Sequence, residues 1–335
     1  MLSARPIART ALFIVFGGLL LLLAADTAGW FWLTRRIEAD VAAWKAARVA
    51  EGYVIGGLPP VRGGWPFRAE VKVPDLSIST SEAPVPASAS WQVDRVVLRY
   101  SLLHPAELLI TLQGAQHVRF GAMAPVDVTA RRLDVRVTLG HAGQAVTTIE
   151  GRAVSLPLPA GPLAVGTLSA RFDGTNGTLQ AGSLALPGIS SPFGGVIDSV
   201  DLSGHISVPI PPGRDLAQMA TAWRDAGGQL TVDHAALRWG PLTADGTATL
   251  ALDPALQPRG NATLRLVGFA DAIDALTRGG VLARNDARVA STVLGLMART
   301  PPNGAAEAIV PLTLDGGRIS MGAIPLARLT AFAWP

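Results

Sequence analysis

A chain of 335 residues without cysteine is long enough for one large or two small domains, but it excludes disulfides, thiol catalysis and cysteine-bound metal. Its 28 lysine and arginine residues give a formal net charge of only +3, and arginines alternate with acids, as at residues 132–136 (RLDVR), so a nucleic-acid-binding surface is not expected. Because only 16% of the residues are charged, we expect strands buried on both faces or an apolar surface kept for a ligand.

The apolar run at residues 11–33 predicts a transmembrane anchor. At 1.5 Å per residue, a helix of this length crosses a hydrocarbon core of ~30 Å. Asp26 lies well past the midpoint, towards Trp30 and Trp32, and is interpreted as an interfacial residue rather than a functional intramembrane acid. A cleaved signal peptide is the alternative, although the run has no clean Ala-x-Ala site and continues beyond the length of a signal.

Charges on both sides of the run bear on its orientation. Arg5 and Arg9 precede it, while Arg35 and Arg36 follow it. Long domains cross a membrane largely regardless of charge, so the short basic tail is the better guide to the cytoplasmic side. We therefore predict a cytoplasmic tail at residues 1–10, a single pass through the inner membrane and a periplasmic location for the bulk of the chain.

Residues 34–52 predict a juxtamembrane helix. Ile37, Val41 and Trp44 recur at helical spacing, and Gly52 marks the end of the pattern. The face that carries Trp44 either rests on lipid headgroups or covers the sheet that follows, and the sequence leaves both interpretations open.

Residues 53–335 predict a β-rich exported domain. Within residues 56–80, glycines and prolines predict turns, and an extended segment starts at Trp65 and continues through Val71, Val73 and Leu76. Beyond it, apolar and polar side chains alternate with the period of two that is typical of half-buried antiparallel strands. The alternating segments are residues 91–103, 107–113, 130–139, 196–208, 228–253 and 309–326, the last turning at residues 315–317. The predicted fold is mainly β, an extended or curved antiparallel sheet with a few packing helices.

Helices are predicted late in the chain, at residues 213–226, 269–278 and 285–299. The first follows two prolines and ends at two glycines, and it places a possible sub-boundary of the exported domain near residues 210–228. The other two form a pair separated by Gly279 and Gly280.

No pattern of chemistry-bearing residues predicts a catalytic, cofactor-binding or metal site. The five histidines show no metal-ligand spacing; they are His104, His117, His141, His205 and His234. Ser190 and Ser191 do not form a nucleophile elbow, and Asp271 and Asp274 fit the solvated face of a helix. We therefore predict no enzyme, no cofactor and no metal, while scattered residues can still converge in space.

Three motifs carry a resemblance to a known family. They are GGWPFR at residues 63–68, WQVDRVVLRYSLLHPAELLI at 91–110 and VPLTLDGGRISMGAIPL at 310–326. Together with the anchor and the tryptophan-containing helix, they resemble the Gram-negative family called domain of unknown function 2125 over nearly the full chain. Residues 228–326 are further similar to AsmA-like envelope proteins. The first resemblance implies an envelope location and a fold but no catalytic residue, and the second implies a sheet that curls into a groove associated with phospholipid handling.

Three hypotheses of function follow. The first is a membrane-tethered β-groove that binds or passes lipid or another apolar envelope molecule. The second is a non-catalytic scaffold or adaptor for an envelope assembly, with the sheet edges or the helices at 269–299 as the docking surface for protein partners. The third is a hydrolase or transferase, which requires a cleft where two of the scattered acids or histidines meet.

Overall fold

The computed structural model describes residues 5–66, 68–80, 89–101, 104–120, 125–139, 145–158, 161–188, 191–211, 215–300, 305–332 and 334. Over these residues the fold is mainly β, with 17 strands in an antiparallel sheet and four helices, as predicted. The helices are α1 (Arg5–Ala50), α2 (Leu216–Asp225), α3 (Phe269–Arg278) and α4 (Arg284–Met297).

Each predicted alternating segment overlaps at least one strand. The strands are β1 (Tyr53–Gly56), β2 (Val61–Gly63), β3 (Arg68–Thr80), β4 (Ala89–Ser101), β5 (His104–Phe120), β6 (Val126–Leu139), β7 (Ala145–Leu158), β8 (Gly161–Asp173), β9 (Asn176–Ala185), β10 (Val196–Ile206), β11 (Gln229–Trp239), β12 (Leu242–Leu252), β13 (Pro258–Val267), β14 (Ala298–Arg299), β15 (Glu307–Asp315), β16 (Arg318–Met321) and β17 (Ile324–Arg328). Strands β7, β8, β9 and β13 fall outside the predicted alternating segments. His104, predicted to lie in a break, instead begins β5, and the segment predicted to start at residue 107 extends to Phe120.

Helix α1 runs without interruption through the predicted anchor and the predicted juxtamembrane helix. Its part from Phe16 to Ala50 is long and apolar enough to cross a membrane. Leu21 and Leu22 are among its most exposed side chains, as expected of a surface that meets lipid. The helix ends at Ala50, and Gly52 takes the left-handed conformation (φ 84°) common after a helix.

The chain divides into two compact units. Unit 1 comprises residues 1–125 and 134–140, and unit 2 comprises residues 126–133 and 141–335. Residues 210–228, where a sub-boundary was predicted, lie within unit 2, and the two strands that flank this segment, β10 and β11, pair directly.

In unit 1, α1 packs on one face of a sheet in which β1 and β2 both pair with β3, β3 with β4, and β4 with β5. The core joins Leu33 and Ile37 of the helix to apolar side chains of the strands. The buried strand residues of this core are Ala69, Val71, Val73, Leu76, Val93, Val96 and Leu98. The juxtamembrane part of α1 therefore covers the sheet, which was one of the two predicted possibilities.

In two strands of this core, the side chains that face the helix change midway from odd-numbered to even-numbered positions. Val73 and Leu76 of β3 belong to one cluster although they are three residues apart, a spacing that puts side chains on opposite faces of a regular strand. Asp75 between them has a left-handed backbone (φ 48°), which turns the strand over by one residue. Val93 and Val96 of β4 show the same change, and the pairing with β5 shifts register beside them.

The register shift in β5 depends on Gly114. Its φ of 86° favours glycine, and a β carbon there would overlap the Asp94 side chain. The Asp94 carboxylate in turn accepts a hydrogen bond from the backbone N–H of Ala115 at 2.8 Å. Asp94 and Gly114 thus form one bulge across the two strands, and this bulge keeps the apolar side chains of β4 on the face that meets α1.

Unit 2 is a meander in which β7 to β13 pair successively, β13 pairs with β15, and β15 to β17 follow. Helices α3 and α4 pack together through Phe269, Ile273 and Ala287, against Ala308 of β15. The helix predicted at 269–278 is confirmed residue for residue, and the one at 285–299 ends two residues earlier than predicted. The predicted turn at 315–317 joins β15 and β16, with Gly316 and Gly317 left-handed.

Candidate functional site

A strongly apolar concave site lies within unit 1, between α1 and the sheet. The helix contributes Ile37, Val41 and Trp44, which share one face because they lie four and seven residues apart. Ile37 is buried, whereas Trp44 is 40% exposed. The helix therefore closes the site more completely at the end nearer the predicted anchor than at the end that contains Trp44.

Three adjacent strands form the opposite wall. Their lining side chains are Val73, Leu76 and Ile78 of β3, Trp91, Val96, Leu98 and Tyr100 of β4, and Leu108, Ile110 and Leu112 of β5. The resulting cleft has a volume of about 420 Å³, within the ~300–1,000 Å³ typical of small-molecule sites. Nearly all of its lining surface is aliphatic or aromatic, so it is suited to an apolar chain. We call this site the α1 cleft.

A few polar groups border the α1 cleft. Asp40 and Lys45 of α1 line it, and Arg36 forms an exposed ion pair with Asp40 at 3.3 Å. Burial raises the pKa of the Tyr100 hydroxyl, and the negative charge of Asp40 adds to this effect while Arg36 opposes it. The Tyr100 hydroxyl is therefore protonated at neutral pH and can donate a hydrogen bond to the polar end of a ligand.

The other face of the same sheet carries a polar network. Glu70 lies opposite Arg99, which donates a hydrogen bond to its carboxylate at 2.7 Å, and Lys72 approaches the second oxygen at 3.2 Å. Burial raises the pKa of Glu70, but the hydrogen bonds from Arg99 and Lys72 outweigh it and hold that pKa below its usual value of 4.5. Thr111 and Asp134 continue the network at 2.7 Å. These contacts fix the strands whose opposite side chains line the α1 cleft.

The α1 cleft lies close to the exit of the predicted anchor. Ile37 and Lys45 follow Leu33 by four and twelve residues in one continuous helix, which is roughly 6 and 18 Å along its axis at 1.5 Å per residue. A headgroup layer is ~5–8 Å thick on each side of a hydrocarbon core. If residues 11–33 span the core, the cleft begins at the outer boundary of the headgroups.

The residues considered for chemistry do not converge on this site. His205 approaches Asp233 at 3.0 Å on the exposed surface of unit 2, and the hydroxyl of Ser191 accepts a hydrogen bond from the backbone of Phe193. Asp271 and Asp274 both lie on the exposed face of α3, as the solvated-face interpretation expects. His141 and Ser190 lie outside the described residues. Within the described part of the chain, no three histidine or acidic residues are grouped to hold a metal ion.

The sequence predicts the helix wall of the α1 cleft and the part of the opposite wall formed by β5, but it does not indicate that the two meet. The spacing of Ile37, Val41 and Trp44 predicted an apolar helix face, and Leu108, Ile110 and Leu112 follow a strand alternation. The contribution of β3 and β4 was harder to predict, because their bulges change which residues face the helix. The only signal for these bulges in the sequence is an aspartate in each of β3 and β4 and a glycine in β5, which is a weak pattern.

Comparison with known proteins places the chain in a family. A family model described as "Uncharacterized protein conserved in bacteria (DUF2125)" matches residues 30–330, a range that includes every residue lining the α1 cleft. Neither a curated protein nor a solved structure matches the chain. The family match covers most of the chain and confirms the first predicted resemblance. The protein belongs to the bacterial family called domain of unknown function 2125.

Proposed function

We propose that the protein is anchored in the inner membrane by residues 11–33, with its body in the periplasm, and that it binds the apolar chain of a lipid or another apolar envelope molecule in the α1 cleft. One observation carries the proposal: an apolar cleft of about 420 Å³ opens on the same helix that is apolar enough to span the membrane, within a few turns of its exit. The role is one of binding or passing a molecule rather than of catalysis.

The energetics favour an apolar ligand over a polar one. Burying a methylene group contributes about 0.8 kcal/mol, so a chain with roughly ten buried methylenes gains about 8 kcal/mol before the costs of binding are subtracted. A charged headgroup has few partners among the lining residues, so it would remain at the border with Asp40, Lys45 and Tyr100. A single apolar chain with its polar end at that border is the ligand geometry that fits best.

The predicted similarity of residues 228–326 to AsmA-like proteins, which implies lipid handling, is not found by the comparison with known proteins, and these residues lie in unit 2, outside the α1 cleft. Two concave sites of unit 2 are more polar. One is lined by threonines of β11, β12 and β13, and the other includes Arg132, Glu150, Arg152 and Asp201. For this reason we assign lipid binding to unit 1, and the ligand class does not depend on the AsmA-like similarity.

The proposal is tested by supplying cells with a fatty acid that carries a photoactivatable diazirine and mapping the cross-linked peptides of the full chain by mass spectrometry. We expect cross-links in the anchor, which meets bulk lipid, and also in residues 89–120, where side chains of β4 and β5 line the cleft. Leu108→Trp should fill the cleft and reduce the cross-links at 89–120 while those in the anchor stay unchanged.

The matched control is Leu179→Trp, the same substitution at a half-buried leucine of β9 outside the cleft. It should leave both sets of cross-links unchanged. Cross-links confined to the anchor, or equal labelling of residues 89–120 in the Leu108→Trp variant, would show that the cleft holds no lipid chain.

A second candidate function, a scaffold or adaptor for an envelope assembly, is favoured by a different observation. Val289 and Leu296 of α4 are 63% and 83% exposed, and they share a helix face because they are seven residues apart. Large exposed aliphatic side chains at such spacing are typical of a protein-docking surface. Crosslinking in cells between α4 and a protein partner would favour this role, and loss of that crosslink in Leu296→Asp would locate the surface.

A further inference from the structure

The segment between β1 and β3 exposes several apolar side chains beside the membrane helix. We call residues 57–66 the proximal loop; it contains the short strand β2. Leu58, Val61 and Trp65 are each more than half exposed, although β2 is paired with β3 and the backbone N–H of Leu58 donates to Pro74 at 3.1 Å. The loop is thus held in place by its backbone while its apolar side chains stay free of the core of unit 1.

Two indole hydrogen bonds join the proximal loop to α1. Trp65 Nε1 donates to the hydroxyl of Thr27 at 3.2 Å, and Trp30 Nε1 donates to the carbonyl of Gly63 at 2.9 Å. Thr27 precedes the end of the apolar run at Leu33 by six residues, or about 9 Å at 1.5 Å per residue. The loop therefore reaches back along the helix to a level inside the predicted membrane span.

The charge distribution agrees with this depth. Arg62 is the only charged residue of the loop, and its guanidinium donates to Glu38 at 2.8 Å and lies 5.7 Å from the centre of the Phe31 ring. The hydrogen bond to Arg62 lowers the pKa of Glu38, so the carboxylate remains charged. Glu38 follows Leu33 by five residues, which puts the ion pair on the water side, whereas Trp65, beside Thr27, lies on the lipid side. Val61 and Leu58 lie further from the anchor than Gly63, because β2 and the residues before it run along β3 from Glu70 towards Pro74.

We propose that the proximal loop is a second membrane contact, with its end at Trp65 immersed at the boundary between headgroups and acyl chains in the leaflet from which α1 emerges. The inference rests on the proposed anchoring of α1 in the membrane. Tryptophan is favoured at this depth because its ring is apolar and its N–H is polar, and prolines, here at positions 59, 60 and 66, leave fewer backbone N–H groups to satisfy. With contacts at α1 and at the loop, unit 1 is held against tilting relative to the membrane, and the α1 cleft is held at a constant height above the lipid.

The absence of cysteine from the sequence makes a direct test simple. Single-cysteine variants of the full chain carry an environment-sensitive fluorophore in phosphatidylcholine–phosphatidylglycerol vesicles that contain lipids spin-labelled at a shallow or a deep position. Val61→Cys and Trp65→Cys should lose fluorescence mainly to the shallow quencher, the second more strongly because Trp65 lies nearer the anchor. Val49→Cys is the matched control, because both valines are 55% exposed but Val49 lies about 24 Å beyond Leu33 along α1.

Leu21→Cys reports on the anchor separately, because Leu21 lies about 18 Å before Leu33 and should meet the deep quencher. Quenching of positions 21 and 61 with none at 49 supports the second contact. Quenching at 21 with none at 61 and 65 would overturn it and leave the anchor intact. Absence of quenching at 21 would overturn both.

Discussion

At the scale of single residues, the first unit depends on a few side chains that break a regular pattern. Asp75 turns β3 over by one residue, and Gly114 accommodates the Asp94 carboxylate at the bulge between β4 and β5. Without these changes, Leu76 and Val96 would face away from α1, and the α1 cleft would lose part of its apolar wall. The shape of the candidate site is therefore set by polar residues that do not line it.

Glu70 offers the clearest prediction about an ionisable group. Its pKa is below the ordinary 4.5 in the folded protein, because hydrogen bonds from Arg99 and Lys72 outweigh the effect of burial. A depressed pKa means that the stabilisation is fully present above the unfolded-state pKa and is lost as pH falls through the folded-state value. We expect Glu70→Gln to lower the free energy of unfolding at pH 7 by about 1–3 kcal/mol, since Arg99 loses a charged partner. The difference from the unsubstituted protein should shrink as the pH falls below 4.5.

The control for this prediction is Glu107→Gln. Glu107 pairs with Arg136 at 2.8 Å, but both side chains are well exposed, and exposed pairs contribute only about 0–1 kcal/mol. Thermal unfolding in detergent, followed by circular dichroism at several pH values, measures both variants. Equal losses for the two substitutions, or a Glu70→Gln effect that is independent of pH, would contradict the assigned role of the Glu70–Arg99 pair.

At the scale of elements, α1 combines two environments in one helix. Its exposed leucines suit lipid, and further along it Thr34 and Ile37 are almost completely buried against the sheet. The second part is a helix because its apolar residues recur at the spacing that forms a single stripe, and the stripe is covered by β3, β4 and β5. Because the helix is continuous, the part that packs on the sheet cannot move without moving the predicted anchor.

Ile37→Ala tests how much this packing stabilises unit 1. Ile37 is 2% exposed, and truncation of a buried isoleucine removes apolar contacts and leaves a cavity, at a cost of about 2–5 kcal/mol. Val49→Ala on the same helix is the control: Val49 is largely exposed, so its truncation should change the stability by less than about 0.5 kcal/mol. Urea unfolding in micelles, followed by tryptophan fluorescence, gives both values. A small effect of Ile37→Ala would mean that the helix covers the sheet only loosely.

Elements were predicted more accurately than the site. Residues 269–278 and the turn at 315–317 follow from strong local signals, an apolar helical stripe in one case and an Asp-Gly-Gly turn in the other. The α1 cleft depends instead on which strands meet residues 37–45 of α1, and a single sequence does not record such distant pairings. The bulges at Asp75 and Gly114, which change the side chains that face α1, also depend on backbone conformations that these residue types permit but do not require.

At the scale of the whole molecule, the features behind the proposed functions lie in different units. Unit 1 contains the predicted anchor, the proximal loop and the apolar cleft, whereas unit 2 contains polar concave surfaces and the exposed face of α4. Strand β6 contributes residues to both units, so its backbone continues from one to the other. The lipid-facing proposals therefore belong to unit 1 and the protein-docking alternative to unit 2, and each can fail without the other.

The orientation of the chain in the membrane can be measured by labelling introduced thiols, because the sequence contains no cysteine of its own. Ala255→Cys introduces a thiol in the exposed turn between β12 and β13, and Ser3→Cys introduces one in the predicted cytoplasmic tail. With the body in the periplasm, a membrane-impermeant maleimide should label position 255 in intact spheroplasts and position 3 only after permeabilisation. The reason is that the short basic tail, rather than the long domain, determines which side remains in the cytoplasm.

The pattern of labelling separates the alternatives left open by the sequence. Labelling at 255 with residue 3 missing from the mature protein indicates a cleaved signal peptide, and it would remove both the anchor and the reason for a second membrane contact. Labelling at 3 without labelling at 255 places the body in the cytoplasm and contradicts the periplasmic proposal. Because the α1 cleft and the proximal loop lie on the same side of residues 11–33 as position 255, the same measurement decides which leaflet could supply a lipid chain to the cleft.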